Sequence, residues 1–160
     1  MFGRYEVVRR LGRGGAGSVY EARHVDLQKP VALKMLHAEH AGDARMRERF
    51  LFEGKATSRL RHPHVVDVSD YGVQDGSAFL VMEYLDGEDL ASLLQREGAL
   101  PVERIVELLL PICAGVSAAH EAGIVHRDLK PENIFLARTA LGQVQPKVLD
   151  FGISKVIDGR

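Results

Sequence analysis

The segment His126 to Asn133, HRDLKPEN in one-letter code, brings a carboxylate, an ammonium and a carboxamide into one short loop. Asp128 can accept a proton from a hydroxyl group, and Lys130 can neutralise charge on a phosphoryl group in transfer. The side-chain oxygen of Asn133 is a ligand that suits Mg²⁺. Pro131 fixes its own φ, so we expect a single non-helical loop shape. The spacing predicts a centre for phosphoryl transfer, and a charged solvated loop is the alternative.

A second carboxylate, Asp150, follows 17 residues after Asn133 in the tripeptide DFG. Short apolar strands are predicted at 134–136 and 147–149, with a long connection over 137–146. Paired as a hairpin, these strands would place Asp150 opposite Asn133. Because the tripeptide DFG is common, the alternative is that it only forms a turn at the end of a strand and has no chemical role.

A glycine pattern, G-x-G-x-x-G-x-V, runs from Gly12 to Val19. The alternation over 5–11 predicts a half-buried strand before it, and 19–23 predicts a second strand after it. A dinucleotide-binding loop would lead into a helix instead. Without side chains at its three glycines the backbone can approach phosphates closely, whereas the alternative is a tight hairpin that only needs positive φ.

Lys34 is the only charged residue of the predicted strand 31–36, and it needs a partner unless it protects a sheet edge. The candidate partner is Glu53, within a helical pattern over 45–60 whose apolar side should face the sheet through Phe50, Ala56 and Leu60. Gly54 costs about 1 kcal/mol relative to alanine in a helix, so we expect Glu53 to be loosely positioned.

The remaining pattern predicts two more strands and two more helices. Strands are expected at 65–71 and 77–83, joined by the turn at 74–76. A helix start at 87–89 is matched by an end at Gly98, and a longer helix is expected from Pro101 to Gly123. Pro111 lies inside that longer helix and should kink or split it.

Composition excludes several classes of partner. The 160 residues are 46% hydrophobic with a formal net charge of −1, and no basic face points to nucleic acid. The most apolar run, 105–119, is too short to cross a membrane. The single Cys113 excludes an internal disulfide and is expected to be a buried, inert thiol, which suits a cytoplasmic protein. His62 and His64 are expected to be loop residues and not metal ligands.

Taken together, these motifs resemble the eukaryotic-type serine/threonine protein kinases, most closely the bacterial members. The resemblance implies an α+β, two-lobed fold. Residues 1–84 would form an antiparallel sheet lobe with one helix, and residues 85–160 would begin a helical lobe. Because a protein kinase domain has roughly 250 residues, the chain is expected to be truncated just after the DFG motif.

The resemblance also implies the roles of individual residues. Catalytic roles fall to Asp128, Lys130, Lys34 and Glu53, and Mg²⁺ would be held by Asn133 and Asp150. Arg127 would meet a phosphate on an activation loop, and Phe151 would pack against the helix of Glu53. Met82 would lie behind the adenine of ATP, which would contact the backbone of Glu83 and Leu85. The implied ATP-binding residues are Gly12, Arg13, Gly14, Gly15, Ala16, Gly17, Val19, Ala32, Lys34, Met82, Glu83, Leu85 and Phe135.

Within the resemblance, Lys130 favours serine or threonine hydroxyls as acceptors over tyrosine. The first hypothesis is therefore the catalytic core of a serine/threonine protein kinase, whose short chain should bind ATP but phosphorylate peptides poorly. A nucleotide-binding or regulatory fragment without turnover is the second, and a small-molecule phosphotransferase of related fold is the third. The residues do not identify a protein substrate or an oligomeric state.

Overall fold

A computed structural model describes residues 2–15, 17–40 and 42–151 of the chain. These residues form two compact units. The N-terminal unit comprises the chain up to Arg59 together with Asp67–Tyr84, and the C-terminal unit comprises Leu60–Val66 and the residues from Leu85 onward. Lobes at 1–84 and 85–160 stay a prediction.

The N-terminal unit is an antiparallel five-stranded sheet with one helix. Its strand order is β1-β2-β3-β5-β4. The helix, α1, packs against β5 and β4, and a short 3₁₀ helix precedes it. The bounds are β1 Tyr5–Arg13, β2 Gly17–His24, β3 Pro30–Leu36, 3₁₀ helix Ala38–His40, α1 Ala44–Thr57, β4 Val68–Gln74 and β5 Ser77–Glu83.

The first strand is much more exposed than its alternating sequence predicted. Only Tyr5 of β1 is buried. Strand β1 is one edge of the sheet, and α1 packs against β5 and β4 at the other edge, so α1 does not cover β1. Tyr5 donates a hydrogen bond of 3.1 Å to Oδ2 of Asp70. Burial, together with that carboxylate, raises the pKa of Tyr5 to about 12.

Helix α1 begins at a side-chain cap and approaches the sheet closely. The carboxylate of Asp43 accepts hydrogen bonds from the backbone N–H groups of Arg45 and Met46. Phe50 is buried among side chains of β3 and β5, as the pattern predicted. Leu60, which was expected on the same helix face, lies beyond the helix end and belongs to the core of the C-terminal unit.

The C-terminal unit packs two helices with a three-stranded sheet of order β6-β7-β8. Strand β6 pairs with β7 and was not predicted, because its three residues have the pattern of a helix start. The bounds are β6 Gly87–Asp89, α2 Leu90–Glu97, α3 Val102–Glu121, a 3₁₀ helix Pro131–Asn133, β7 Ile134–Arg138 and β8 Val144–Val148.

Both predicted helices form, and their ends match the predicted signals. Asp89 caps α2 by accepting from the backbone N–H of Ser92 at 2.8 Å, and Gly98 ends the helix with φ of 74°. Pro111 does not split α3, which is continuous from Val102 to Glu121. Its buried residues, Leu108, Ile112, Gly115 and Ala119, recur at helical spacing on both sides of the proline. Packing of this one face holds the helix in one piece.

Three further expectations are corrected by the structure. Cys113 is exposed, because it follows Ile112 of the buried face by one residue and is rotated about 100° away from it. The connection predicted over 137–146 is half strand, since β7 and β8 pair from Ile134 and Val148 out to Arg138 and Val144. The strand predicted over 65–71 begins only at Val68.

The residues before β4, Leu60–Val66, belong to the C-terminal unit. Val65 forms a parallel bridge with Val148, and Val66 donates a backbone hydrogen bond to the carbonyl of Val148. His64 lies beside them, with Nδ1 2.8 Å from the carbonyl oxygen of Pro146. None of the helices in the described part of the chain has the length and apolar character needed to cross a membrane.

Candidate active site

Lys34 lies in the interior of the N-terminal sheet. Its strand, β3, is hydrogen-bonded to β2 on one side and to β5 on the other, which excludes the edge-strand alternative. In register, Lys34 stands opposite Val19 on β2 and opposite Leu80 on β5. Strand pairing therefore brings the predicted lysine next to the valine that ends the glycine pattern.

Glu53 is the ion-pair partner that the sequence predicted for Lys34. The lysine Nζ lies 3.9 Å from Oε1 of Glu53, and the two side chains are 12% and 14% exposed. Nζ also lies 6.0 Å from the centre of the Phe50 ring. Burying either charge alone would carry a high desolvation cost, and the opposite charge of the partner offsets part of that cost.

Gly54 has a packing role that the sequence did not reveal. A Cβ built on this residue would collide with Cδ2 of Leu80 on β5. The missing side chain therefore lets α1 approach the sheet at the turn that carries Glu53. A neighbouring strand 26 residues away imposes this requirement, so helix propensity alone assigned the glycine only a cost.

The glycine pattern forms the β1–β2 hairpin. Its tip is closed by a hydrogen bond of 2.8 Å from Gly14 N–H to the carbonyl of Gly17. At Gly17 a Cβ would collide with the carbonyl oxygen of Met35, so this glycine is fixed by packing against β3. At Gly12 and Gly15 a Cβ would meet nothing within 4 Å. The backbone at these two positions is thus open to a ligand; Ala16 lies outside the described residues.

The predicted adenine-contacting residues divide between the units. Ala32 and Met82 face each other in the β3–β5 register, and both are buried. Glu83 donates its backbone N–H to the carbonyl of Asp67, and its carboxylate accepts the Asp67 N–H at 2.9 Å. Leu85 and Phe135, both partly exposed, belong to the C-terminal unit.

The HRDLKPEN loop contains a turn of 3₁₀ helix at Pro131–Asn133, which corrects the expected non-helical shape. The N–H of Asn133 donates to the carbonyl of Lys130 at 2.9 Å. Proline is well suited to the first position of a helical turn, because its φ already matches and its missing N–H would have no partner there. Pro131 therefore starts the turn that orients Asn133.

Three predicted site residues meet in this loop. Nδ2 of Asn133 donates to the Asp128 backbone carbonyl at 2.8 Å and lies 3.5 Å from the Asp128 Oδ2. Nζ of Lys130 lies 3.5 Å from the same Oδ2. The Asp128 and Lys130 side chains are 34% and 48% exposed. The carboxylate is thus held from two sides and remains accessible to a reactant.

Asp150 leaves the hairpin beside Asn133, as predicted. Ile134 pairs with Val148, and Leu149 N–H donates to the Asn133 carbonyl at 2.8 Å. Asp150 itself has φ of 45°, in the left-handed region that few residues other than glycine occupy. Such strained backbone is concentrated at functional sites.

Phe151 is fully buried in the core of the C-terminal unit. Its ring centre lies 4.8 Å from that of His126. The expected contact of Phe151 with the helix of Glu53 stays a prediction, and Gly152 lies outside the described residues.

His126 has a positioning role that sequence reasoning missed. It is buried, its Nε2 lies 2.8 Å from the Leu149 carbonyl oxygen, and its Nδ1 accepts the Asp128 N–H at 3.3 Å. A carbonyl can only accept, so Nε2 carries the proton and the ring is neutral. Burial lowers the His126 pKa, although the Leu149 hydrogen bond and the charges of Asp150 and Asp128 oppose the shift.

The histidine therefore connects the segments that carry the two aspartates. The sequence could have indicated the burial of His126, because this residue starts the motif directly after the apolar pair Ile124-Val125. Arg127, the next residue, has φ of 61°. The loop thus turns sharply between the buried histidine and the accessible Asp128.

The N-terminal unit has a lysine–glutamate pair on a five-stranded sheet and a glycine hairpin, and the C-terminal unit has the Asp128 loop. Each of these features is typical of phosphotransferases of the protein kinase type. The family model described as protein kinase domain matches residues 5–160, and the chain belongs to this family.

Several bacterial kinases are similar to this chain. It is 43% identical over 156 residues to the serine/threonine-protein kinase pkn2 of Myxococcus xanthus, covering 98% of this chain and 19% of that protein. It is 44% identical to PknH of Mycobacterium tuberculosis, covering 96% of this chain and 24% of that protein. The chain thus spans about a quarter or less of the length of these two relatives.

Solved structures agree with the fold. The crystal structure of the Mycobacterium tuberculosis PknI kinase domain is similar, with a TM-score of 0.79 and 35% sequence identity. The match covers 96% of this chain and 61% of that one. The predicted α+β, kinase-like fold is therefore confirmed.

Proposed function

We propose that the protein carrying these residues transfers the γ-phosphoryl group of Mg·ATP to serine or threonine hydroxyls of proteins. The observation that carries the proposal is the double contact of the Asp128 carboxylate with Lys130 and Asn133 at 3.5 Å. This arrangement fixes an accessible carboxylate beside a positive charge, which is what in-line phosphoryl transfer requires of a protein.

In the proposed reaction, the Asp128 carboxylate accepts the proton of the acceptor hydroxyl. The hydroxyl oxygen forms a bond to the γ-phosphorus while the bond from that phosphorus to the bridging oxygen of ADP breaks. Lys130 stabilises the charge on the transferring group. ADP leaves with the electron pair of the broken bond, and the product is a phosphate ester.

Lys34 is proposed to bind the α and β phosphates, with Glu53 holding its ammonium group in place. The low exposure of both side chains supports this role, because a poorly solvated ammonium attracts phosphate more strongly than one in bulk water. The open backbone at Gly12 and Gly15 would supply further donors to phosphate. Ala32 and Met82 would contact the adenine.

The donor set fits Mg²⁺. Nδ2 of Asn133 is committed to the Asp128 carbonyl, so the side-chain oxygen of Asn133 is the atom that can ligate a cation. Asp150 adds a carboxylate, and oxygen ligands of this kind are those Mg²⁺ prefers. When bound, Mg²⁺ would neutralise charge on the ATP phosphates.

Serine and threonine are the proposed acceptors because Lys130 stands two residues after Asp128, and because the similar proteins are named serine/threonine kinases. A nucleotide-binding or regulatory protein without turnover is the second candidate. A cytoplasmic location stays a prediction from the sequence.

The test is phosphate transfer from ATP labelled at the γ position to a mixture of serine, threonine and tyrosine peptides, by the protein that carries this chain. We expect labelled phosphoserine or phosphothreonine, and background label with Asp128→Asn. ATP binding without label in any peptide would favour the second candidate. Label on tyrosine alone would overturn the proposed acceptor class.

A further inference from the structure

A second cluster of ligand-bearing side chains lies in the N-terminal unit, in the segment that joins β3 to α1. His37, Glu39 and His40 each offer one ligand atom, and these atoms lie within 4.8 Å of one another. We propose that this cluster binds a divalent transition-metal ion, with Zn²⁺ as the best-matched species. The site would be separate from the residues proposed to hold Mg²⁺.

The backbone of this segment brings the two histidines together. Ala38–His40 is a 3₁₀ helix, and His40 N–H donates to the His37 carbonyl at 2.9 Å. Because a 3₁₀ helix has three residues per turn, side chains three positions apart lie above one another. The two imidazole rings are indeed stacked, with centres 6.3 Å apart and planes inclined by 20°.

His37 presents an unsatisfied nitrogen to this cluster. Its Nδ1 is buried and has no hydrogen-bond partner among the residues that the structure describes. Oε1 of Glu39 lies 3.5 Å from this nitrogen. When the imidazole proton is on Nε2, Nδ1 is a lone pair that faces a carboxylate oxygen, and both are acceptors. A cation between these two acceptors would satisfy both.

The other nitrogen of His37 is already oriented. Nε2 lies 3.2 Å from the hydroxyl oxygen of Ser18, which is buried on β2. Ligating histidines commonly donate their second N–H to a neighbouring acceptor, which fixes the tautomer and leaves the first nitrogen for the metal. Ser18 can serve as that acceptor, so Nδ1 of His37 is the expected ligand atom.

Two imidazoles and one carboxylate are a donor set typical of Zn²⁺ with one remaining position for water. Tetrahedral Zn²⁺ with ligands at about 2.0–2.1 Å requires them to lie about 3.4 Å apart. The ligand atoms, which lie within 4.8 Å of one another, must therefore move closer together, and Glu39, whose side chain is 64% exposed, has the freedom to move. Mg²⁺ prefers an octahedral oxygen shell and is not expected to compete here.

The test is calorimetric titration of the chain with Zn²⁺ in excess Mg²⁺, which saturates the oxygen ligands Asn133 and Asp150. We expect one Zn²⁺ per chain and a Kd in the micromolar range or tighter. His40→Ala and Glu39→Gln should each raise the Kd at least tenfold. His62→Ala is the matched control, because His62 belongs to the other close histidine pair, with His64, and should leave the Kd unchanged.

Two further measurements complete the test. Co²⁺ in place of Zn²⁺ should give the visible absorption of a four-coordinate site in the wild type and lose it in His40→Ala. Thermal unfolding of each variant without metal checks that the fold is retained. The absence of Zn²⁺ binding to folded chain, or a Kd that His40→Ala leaves unchanged, would overturn the proposal.

Discussion

The two units hold their functional side chains in different ways. In the N-terminal unit, Lys34 is fixed by the register of a central strand, and its partner Glu53 is equally shielded from water. In the C-terminal unit, Asp128 is half-exposed and is held by side chain to backbone hydrogen bonds within a loop. A charge that is proposed to bind phosphate benefits from shielding, whereas the proposed proton acceptor must be reached by a substrate.

The difference extends to the backbone. The central strands of the N-terminal sheet pair in continuous register through Lys34. The C-terminal residues depend on left-handed backbone at Arg127 and Asp150 and on the buried His126 between their segments. The first region is thus positioned by the sheet itself, and the second by a network of individual contacts. Substitutions in the two units should therefore have different effects.

The largest effect is expected at Asp128. Asp128→Asn keeps the size of the side chain but removes the proton acceptor, so kcat of the protein that carries this chain should fall by about 10³-fold or more. ATP affinity should change little. Glu132→Gln is the matched control, because Glu132 is an exposed carboxylate of the same loop. A similar loss of kcat in both variants would show that loop charge, not this carboxylate, is responsible.

A smaller loss of kcat is expected at Lys34. Lys34→Met should lower kcat by about 10²-fold by removing one charge that stabilises the transferring group. ATP affinity should weaken modestly, because the adenine contacts do not use the lysine. Lys55→Met changes an exposed lysine of α1 and should leave kcat unaltered. An unaltered kcat in Lys34→Met would remove this residue from the site.

Packing under the Lys34–Glu53 pair gives a prediction on stability. Gly54→Ala should destabilise the fold by about 1–3 kcal/mol, because the new methyl group collides with Leu80. In a Leu80→Ala background the same change should instead stabilise by up to about 1 kcal/mol, since alanine is the better helix former. Urea unfolding of the four proteins gives this double-mutant cycle. If the effects of Gly54→Ala and Leu80→Ala on the free energy of unfolding were additive, the proposed close approach of α1 to β5 at Gly54 would be contradicted.

The neutral state of His126 gives a prediction on pH. Its folded pKa is lowered by burial, so the unfolded chain binds the proton more readily. The free energy of unfolding should therefore fall as pH drops below about 6.5, by at most about 1.4 kcal/mol per pH unit from this residue. His126→Asn should show a shallower slope than wild type. The exposed His120→Ala is the control, and an unchanged slope in His126→Asn would exclude the mechanism.

The sequence predicted best where a short segment carries the chemistry. Asp128, Lys130 and Asn133 lie within six residues, so their meeting depends on one loop alone. The pairing of Lys34 with Glu53 was also predicted. One charge in an apolar strand indicates a partner, and the resemblance to protein kinases implies the glutamate of the following helix.

Expectations failed where a distant neighbour decides the outcome. Gly54 is explained by Leu80, and the exposure of Cys113 follows from which face of α3 is buried. Val65 pairs with Val148, 83 residues away, which no local pattern indicates. The helical turn at Pro131 has a local cause, since proline can begin a helical turn as well as prevent one.

Calorimetric titration of the 160-residue chain with ATP, with and without Mg²⁺, measures the proposed binding of Mg·ATP itself. We expect one ATP per chain, tighter binding with Mg²⁺, and loss of that Mg²⁺ dependence in Asp150→Asn. Circular dichroism of the same samples establishes that each is folded. Folded chain that binds no ATP, or ATP binding that neither Mg²⁺ nor Asp150→Asn alters, would contradict the proposed Mg·ATP chemistry.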